Sequence, residues 1–76
     1  MSEILEYIAR HLVDEPDAVH VTERREVDTV ILQLEVASDD VGKVIGKGGR
    51  IARAIRSVMR AAGVKAGVTT VLEIVV

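Results

Sequence analysis

Apolar residues recur along the 76-residue chain with two different periods, one typical of helices and the other typical of strands. Near the N-terminus they return every three or four positions, which predicts an α-helix over residues 2–13 with Ser2 as its N-cap. The segment 14–17 ends this helix, because Pro16 disfavours helical backbone at the residue before it.

Apolar and polar residues then alternate in two stretches, over residues 18–24 and 29–37. A period of two places every second side chain on the same face, which predicts two strands. The polar residues 25–28 form a short connection between them, so we expect an antiparallel hairpin. The acidic pair Asp39-Asp40 that follows has the composition of a helix start.

Helical spacing returns in the second half of the chain. It predicts a short helix over residues 41–45, a glycine-rich loop, and a longer helix over about 50–62 with Gly63 as its C-terminal cap. A loop at 65–67 leads to a last strand over 69–76. The resulting order, α-β-β-α-α-β, predicts an α+β domain in which three helices cover one face of a three-stranded sheet.

The composition restricts the core and the cellular compartment. Hydrophobic residues make up 49% of the chain, but the only aromatic one is Tyr7, so the core must be built from aliphatic side chains. The chain has no cysteine, which excludes disulfides and thiolate metal sites and favours a reducing, cytoplasmic compartment. No apolar run is long enough for a membrane span, and the acidic first residues do not resemble a signal peptide.

Charge is divided unevenly along the chain. Residues 1–40 carry three basic and eleven acidic groups, a net charge of −8, whereas residues 41–76 carry seven basic groups and one acidic group, a net charge of +6. This division indicates a basic face on an acidic body. A solvated basic helix whose charges pair with the acidic half would give the same division, so charge alone leaves both interpretations open.

The loop between the two helices carries the main chemical signal. Within residues 46–49, Gly-Lys-Gly-Gly, three of the four residues are glycine. Glycine lets another backbone approach closely and allows turns that expose N–H groups, and the N-terminus of the following helix attracts anions. Lys43, Lys47 and Arg50 surround the loop with positive charge. Together these features predict a phosphate-binding site.

Two common nucleotide-binding motifs do not fit this loop. A P-loop needs four residues between its glycines and a hydroxyl residue for Mg²⁺, but three residues separate Gly42 from Gly46, and Gly48 takes the hydroxyl position. A dinucleotide-binding fingerprint would need glycine where Ile51 stands. We therefore expect no nucleotide cofactor.

The stretch 44–49, Val-Ile-Gly-Lys-Gly-Gly, resembles the G-x-x-G signature of the KH family of RNA-binding domains. The order of elements resembles the type II, prokaryotic KH form. The strand at 19–22 and the blocks 40–47 and 51–56 are similar to those of the small bacterial stand-alone KH proteins of the KhpA family. Gly48 is a departure, since a larger polar residue is expected there. The resemblance covers essentially the whole chain and implies one KH domain over residues 1–76.

The resemblance implies that the loop clamps about four nucleotides of single-stranded RNA backbone while the bases lie on an aliphatic groove, with little sequence selectivity. Arg53, in the first turn of the long helix, is also well placed for phosphate. The expected RNA-binding residues are Lys43, Ile45, Gly46, Lys47, Gly48, Gly49, Arg50 and Arg53. Arg56 and Arg60 stay open, because a solvated helix exterior would also explain them.

No residues converge as a catalytic acid, base or nucleophile, and His11 and His20 are isolated, so we expect neither an enzyme nor a metal site. The resemblance implies a homodimer, or pairing with another KH-containing protein, in post-transcriptional regulation. Three apolar residues on the second face of the sheet are either scattered surface residues or a partner surface: Ile31, Val71 and Val75. The alternative function is a protein-interaction module with weak or no RNA binding.

Overall fold

The computed structural model describes residues 1–76 and contains three helices and three strands in the predicted order. Their bounds are α1 (Ser2–Leu12), β1 (His20–Glu26), β2 (Thr29–Glu35), α2 (Val41–Ile45), α3 (Arg50–Ala66) and β3 (Thr69–Ile74). In the sheet, β2 lies between β1, to which it is antiparallel, and β3, to which it is parallel. The predicted α+β class is confirmed.

The core lies between the helices and one face of the sheet. Alternate residues of β2 are fully buried there, namely Val30, Leu32 and Leu34. The helices contribute the other side of the core, with Leu5 and Ala9 from α1, Val44 from α2, and Ala52, Ile55 and Met59 from α3. The core is therefore aliphatic, as the near absence of aromatic residues requires.

The first strand is shifted by two residues from its predicted bounds. It spans His20–Glu26 rather than residues 18–24, because Pro16–Ala18 forms a 3₁₀ turn before it and its charged end continues to pair with β2 as far as Glu26 and Thr29. As an edge strand, β1 can keep charged side chains in solvent while its backbone pairs. The predicted connection at 25–28 shrinks to the two residues 27 and 28.

The helix α1 also begins differently from the prediction. The carbonyl of Met1 accepts the first helical hydrogen bonds, so Met1 and not Ser2 is the N-cap. The backbone N–H of Ser2 instead donates to Glu23 Oε1 of β1 at 3.2 Å, which ties the start of α1 to the sheet. Three other elements end one or two residues before the prediction: α1 at Leu12, β2 at Glu35 and β3 at Ile74.

The prediction that Gly63 caps the C-terminus of α3 is wrong. The helix continues to Ala66, and Gly67, with φ of 76°, caps it. A Cβ atom on Gly63 would lie 2.7 Å from Thr70 Cγ2 and 2.8 Å from the carbonyl oxygen of Val68. Glycine at this position therefore lets α3 pack closely against the start of β3.

We expect Gly63→Ala to destabilise the domain by about 1–3 kcal/mol, the usual cost of overpacking a tight contact. At an ordinary interior helix position the same change stabilises by about 1 kcal/mol, so the sign of the effect is informative. Urea unfolding followed by circular dichroism measures it. A gain in stability would show that the helix and the strand are not held at this close distance.

Candidate nucleic-acid interface

The predicted loop joins α2 to α3 and is built from glycines in left-handed backbone. The φ angles of Gly46, Gly48 and Gly49 are 75°, 64° and 78°. Residues 47–49 form a single 3₁₀ turn, which the Gly49 N–H closes by donating to the carbonyl of Gly46 at 3.1 Å. Such φ values are accessible to glycine without steric cost, so the sequence fixes this conformation locally.

Two glycines of the loop, Gly46 and Gly48, have different surroundings. A Cβ on Gly46 would lie 2.6 Å from Ile51 Cγ1 and 2.9 Å from the backbone nitrogen of Ile51, so the loop packs against the first turn of α3. A Cβ on Gly48 would meet no atom within 4 Å. Gly48 and its neighbour Lys47 are exposed, so this part of the loop is open to an external ligand.

Arg53 holds the loop from the first turns of α3. Its Nη1 donates to the carbonyl oxygen of Gly48 at 2.7 Å, and the same atom would lie 3.2 Å from a Cβ on Gly49. The guanidinium has further N–H donors that this bond does not use. Arg53, which the sequence analysis assigned to phosphate, is therefore in direct contact with the loop.

The other three predicted cations differ in their partners. Lys47 and Arg50 are exposed, and neither takes part in any ion pair of the structure. Both lie at the N-terminus of α3, where the helix dipole also favours an anion. Lys43 Nζ, in contrast, lies 3.1 Å from Asp14 Oδ2 and 3.2 Å from Asp40 Oδ1. Ile45 is half-buried at the end of α2 and packs against the core.

Asp40, which the sequence analysis treated as part of a helix start, is only 2% exposed. Its Oδ2 accepts a hydrogen bond from the Glu15 backbone N–H at 3.1 Å, and its Oδ1 accepts one from Lys43. Burial raises the pKa of Asp40, but the hydrogen bonds from Glu15 and Lys43 outweigh it, so the net pKa lies below the usual value. Hydrogen bonds to Asp14 and Asp40 raise the pKa of Lys43.

Two shallow grooves flank α3. The groove between α3 and β3, here called the α3/β3 groove, is lined by Arg56, Met59, Arg60, Thr70, Val71 and Leu72. The groove between α1 and α3, here called the α1/α3 groove, is lined by Ile8, Leu12, Arg50, Ile51, Ala54, Ile55 and Val58. Because Arg53, Arg56 and Arg60 follow each other at helical spacing, the first groove lies on the flank of α3 that also holds the loop.

The sequence analysis missed the α1/α3 groove and the partners of Lys43. The spacing of Asp40 and Lys43, three residues apart, was a signal for their ion pair, since such residues are neighbours on a helical turn. Nothing local in the sequence signals Asp14 as the second partner. None of the helices has the length and hydrophobicity that a membrane-spanning segment requires.

Comparison with known proteins gives a consistent result. The model of the family described as KhpA/KhpB, KH domain, matches residues 2–74. An RNA-binding protein KhpA from Clostridium perfringens is 51% identical over 75 residues, which cover 99% of this chain and 100% of the relative. Its counterpart from Clostridium acetobutylicum is 53% identical with the same coverage, and that from Aquifex aeolicus is 49% identical, covering 97% of this chain and 94% of the relative.

Among solved structures, a variant of Aquifex aeolicus Era bound to GDP.AlF4- superposes on this chain with a TM-score of 0.62. The sequence identity is 20%, and the match covers 95% of this chain but only 28% of the Era chain. At this identity the likeness supports the fold and says nothing about the ligand of this chain.

Proposed function

The chain belongs to the KhpA/KhpB KH-domain family, and from this premise we propose that it binds single-stranded RNA as one KH domain spanning residues 1–76. The observation that carries the proposal is the loop, in which glycines with positive φ lie between the unpaired cations Lys47 and Arg50. Binding rather than catalysis is its activity, and we place it in post-transcriptional regulation in the cytoplasm. Crosslinking to cellular RNA followed by sequencing would identify the targets.

The RNA backbone lies against the loop in this proposal. Gly48 leaves space for a phosphate, Lys47 and Arg50 supply full charges, and the N-terminus of α3 adds its dipole. Arg53 keeps the loop in place through the Gly48 carbonyl, and its remaining N–H groups are donors for a neighbouring phosphate. These contacts recognise the sugar-phosphate backbone and not the base sequence.

The bases lie in the α3/β3 groove in this proposal. Its lining combines the apolar residues Met59, Val71 and Leu72 with the cations Arg56 and Arg60. Tyr7 lies elsewhere, on α1, so no aromatic side chain is available in the groove for stacking. A short aliphatic groove contacts about four nucleotides and discriminates weakly between bases, which supports low sequence selectivity.

The salt dependence of RNA affinity tests the backbone contacts. If two to four phosphates are contacted, log affinity should fall against log salt with a slope of about −0.7 per contact. Fluorescence anisotropy with a labelled single-stranded RNA at several salt concentrations measures the slope. A slope near zero, or tight Mg²⁺-dependent binding of ATP or GTP in calorimetry, would contradict the proposal.

We also propose that two copies associate through the α1/α3 groove, with another KH-containing protein as the alternative occupant. The groove is almost wholly apolar, and Val58, one of its lining residues, is 46% exposed. In a two-fold dimer such a surface pairs with itself. At about 100° per residue, Val58 faces away from Arg56 and Arg60 on the helix, so the dimer leaves the α3/β3 groove of each copy free. Arg50 lines the α1/α3 groove as well as the loop, so it lies where the dimer contact meets the RNA backbone site. Two linked sites would strengthen RNA binding through effective concentration.

Light scattering at high micromolar concentration is expected to show a dimer that Val58→Glu dissociates, because the change buries a carboxylate in the apolar contact. Val75→Glu is the matched control, a similarly exposed valine near the end of β3 on the other face of the sheet. A monomeric parent protein would remove the homodimer. Dissociation by Val75→Glu alone would assign the contact to the sheet face instead.

A further inference from the structure

Lys43 lies between two carboxylates, and the three side chains of Asp14, Asp40 and Lys43 are here called the Lys43 cluster. The ammonium group is 3.1 Å from Asp14 Oδ2 and 3.2 Å from Asp40 Oδ1. Asp40 uses its second carboxylate oxygen to accept the N–H of Glu15. The cluster therefore links the segment after α1 to the start of α2.

The charge of Lys43 is already matched inside this cluster. Two carboxylates face one ammonium, so the local sum is negative, and the cluster presents no excess positive charge to an RNA phosphate. If Lys43 turned towards a phosphate, the buried Asp40 would lose its only cationic partner. Leaving a buried charge without its partner is strongly unfavourable. Lys47 and Arg50, in contrast, lose no ion pair when they bind a phosphate.

The cluster also holds the element that carries the loop. The helix α2 has five residues and no side-chain cap, which is too short for a helix that is stable on its own. Its orientation must come from tertiary contacts, and Val44 in the core together with the Lys43 cluster provides them. The loop begins at Gly46, one residue after α2 ends, so the direction of α2 sets the position of the loop.

We propose that Lys43 and Asp40 are positioning residues that orient the glycine loop for RNA, and that Lys43 is not a ligand of the RNA phosphates. This inference rests on the proposed RNA-binding function. It gives the four predicted cations three different roles. Lys47 and Arg50 bind phosphates, and Arg53 holds the loop through the Gly48 carbonyl while keeping free donors. Lys43 acts indirectly, by orienting α2 and the loop.

The salt slope distinguishes a positioning residue from a phosphate ligand. Lys47→Met should weaken RNA binding and make the slope shallower by about 0.7, the value of one lost phosphate contact. Lys43→Met should weaken binding on the order of threefold to tenfold, the scale of a lost positioning contact, and leave the slope unchanged. Lys43→Arg keeps both ion pairs and should restore binding. Equal losses of slope in the two methionine variants would overturn the inference.

When a carboxylate of the cluster is removed, net charge and positioning predict opposite changes in RNA affinity. If only net charge mattered, Asp40→Asn would tighten RNA binding, because it removes a negative charge near the loop. The positioning role requires weaker binding instead. Asp14→Asn repeats the test at an exposed carboxylate, where loss of the fold is not expected, and circular dichroism melts check both variants. Tighter RNA binding in the folded variants would contradict the positioning role and leave the proposed RNA-binding function intact. A parent protein that binds no RNA would contradict both.

Discussion

Replacing Gly46 with alanine is expected to destabilise the domain by about 2–4 kcal/mol, a large part of the stability of a chain of this size. The backbone of Gly46, with φ of 75° and ψ of 172°, lies in a region that only glycine enters without strain. The new methyl group would also lie 2.9 Å from the backbone nitrogen of Ile51, which cannot move without displacing α3. Urea unfolding followed by circular dichroism measures the loss.

Gly42→Ala is the matched control, since it makes the same change four residues earlier. Gly42 lies within α2, and a Cβ there would meet no atom within 4 Å. Alanine is expected to be neutral or to stabilise by up to about 1 kcal/mol, because glycine is a poor helix former. If both variants were equally stable, the conformation of Gly46 would not be what fixes the loop.

The features that the sequence predicted correctly are those that local physics determines. The alternation of Val30, Leu32 and Leu34 identified a strand with one buried face, and the structure buries all three. Three glycines among four residues identified the loop, because glycine enters left-handed backbone at lower cost than any other residue type. The resemblance to the KH family is confirmed by the family match over residues 2–74.

The features that the sequence did not reveal depend on residues far apart in the chain. Glycine near a helix end has two common uses, as a cap or at a close contact, and the contact of Gly63 with Thr70 exists only once β3 has docked. The partners of Lys43 are a second such feature, because the sequence places Lys43 beside the glycine loop and predicts only a phosphate contact for it. Its pairing with Asp14, 29 positions earlier, follows from the packing of α1 against α2 and has no local signature.

The second large effect is expected in the double variant Lys47→Asp/Gly48→Asp. The change exchanges a positive charge for a negative one and adds a second negative charge where RNA phosphates approach. Like charges in direct contact cost several kcal/mol, so RNA affinity should fall on the order of a hundredfold or more. Gly48 has open space around its Cβ position, and its φ of 64° is one that aspartate tolerates better than most residues.

The fold of this variant should persist, because Gly46 and Gly49 keep their left-handed backbone and the core is untouched. The matched control is Val64→Asp/Lys65→Asp, which makes the same change of charge at exposed positions near the C-terminal end of α3. At about 1.5 Å per residue these positions lie on the order of 20 Å along the helix from the loop. The control should bind RNA nearly as well as the parent, which separates a local effect from a change in net charge.

The most direct test of loop-mediated RNA binding is fluorescence anisotropy of a labelled single-stranded RNA titrated with the parent, the loop variant and the control. Circular dichroism melts of the three proteins establish that each is folded. We expect the parent and the control to bind with similar affinity and the loop variant to show almost no binding. A folded loop variant that binds the RNA as well as the parent would show that the glycine loop is not the RNA-binding site.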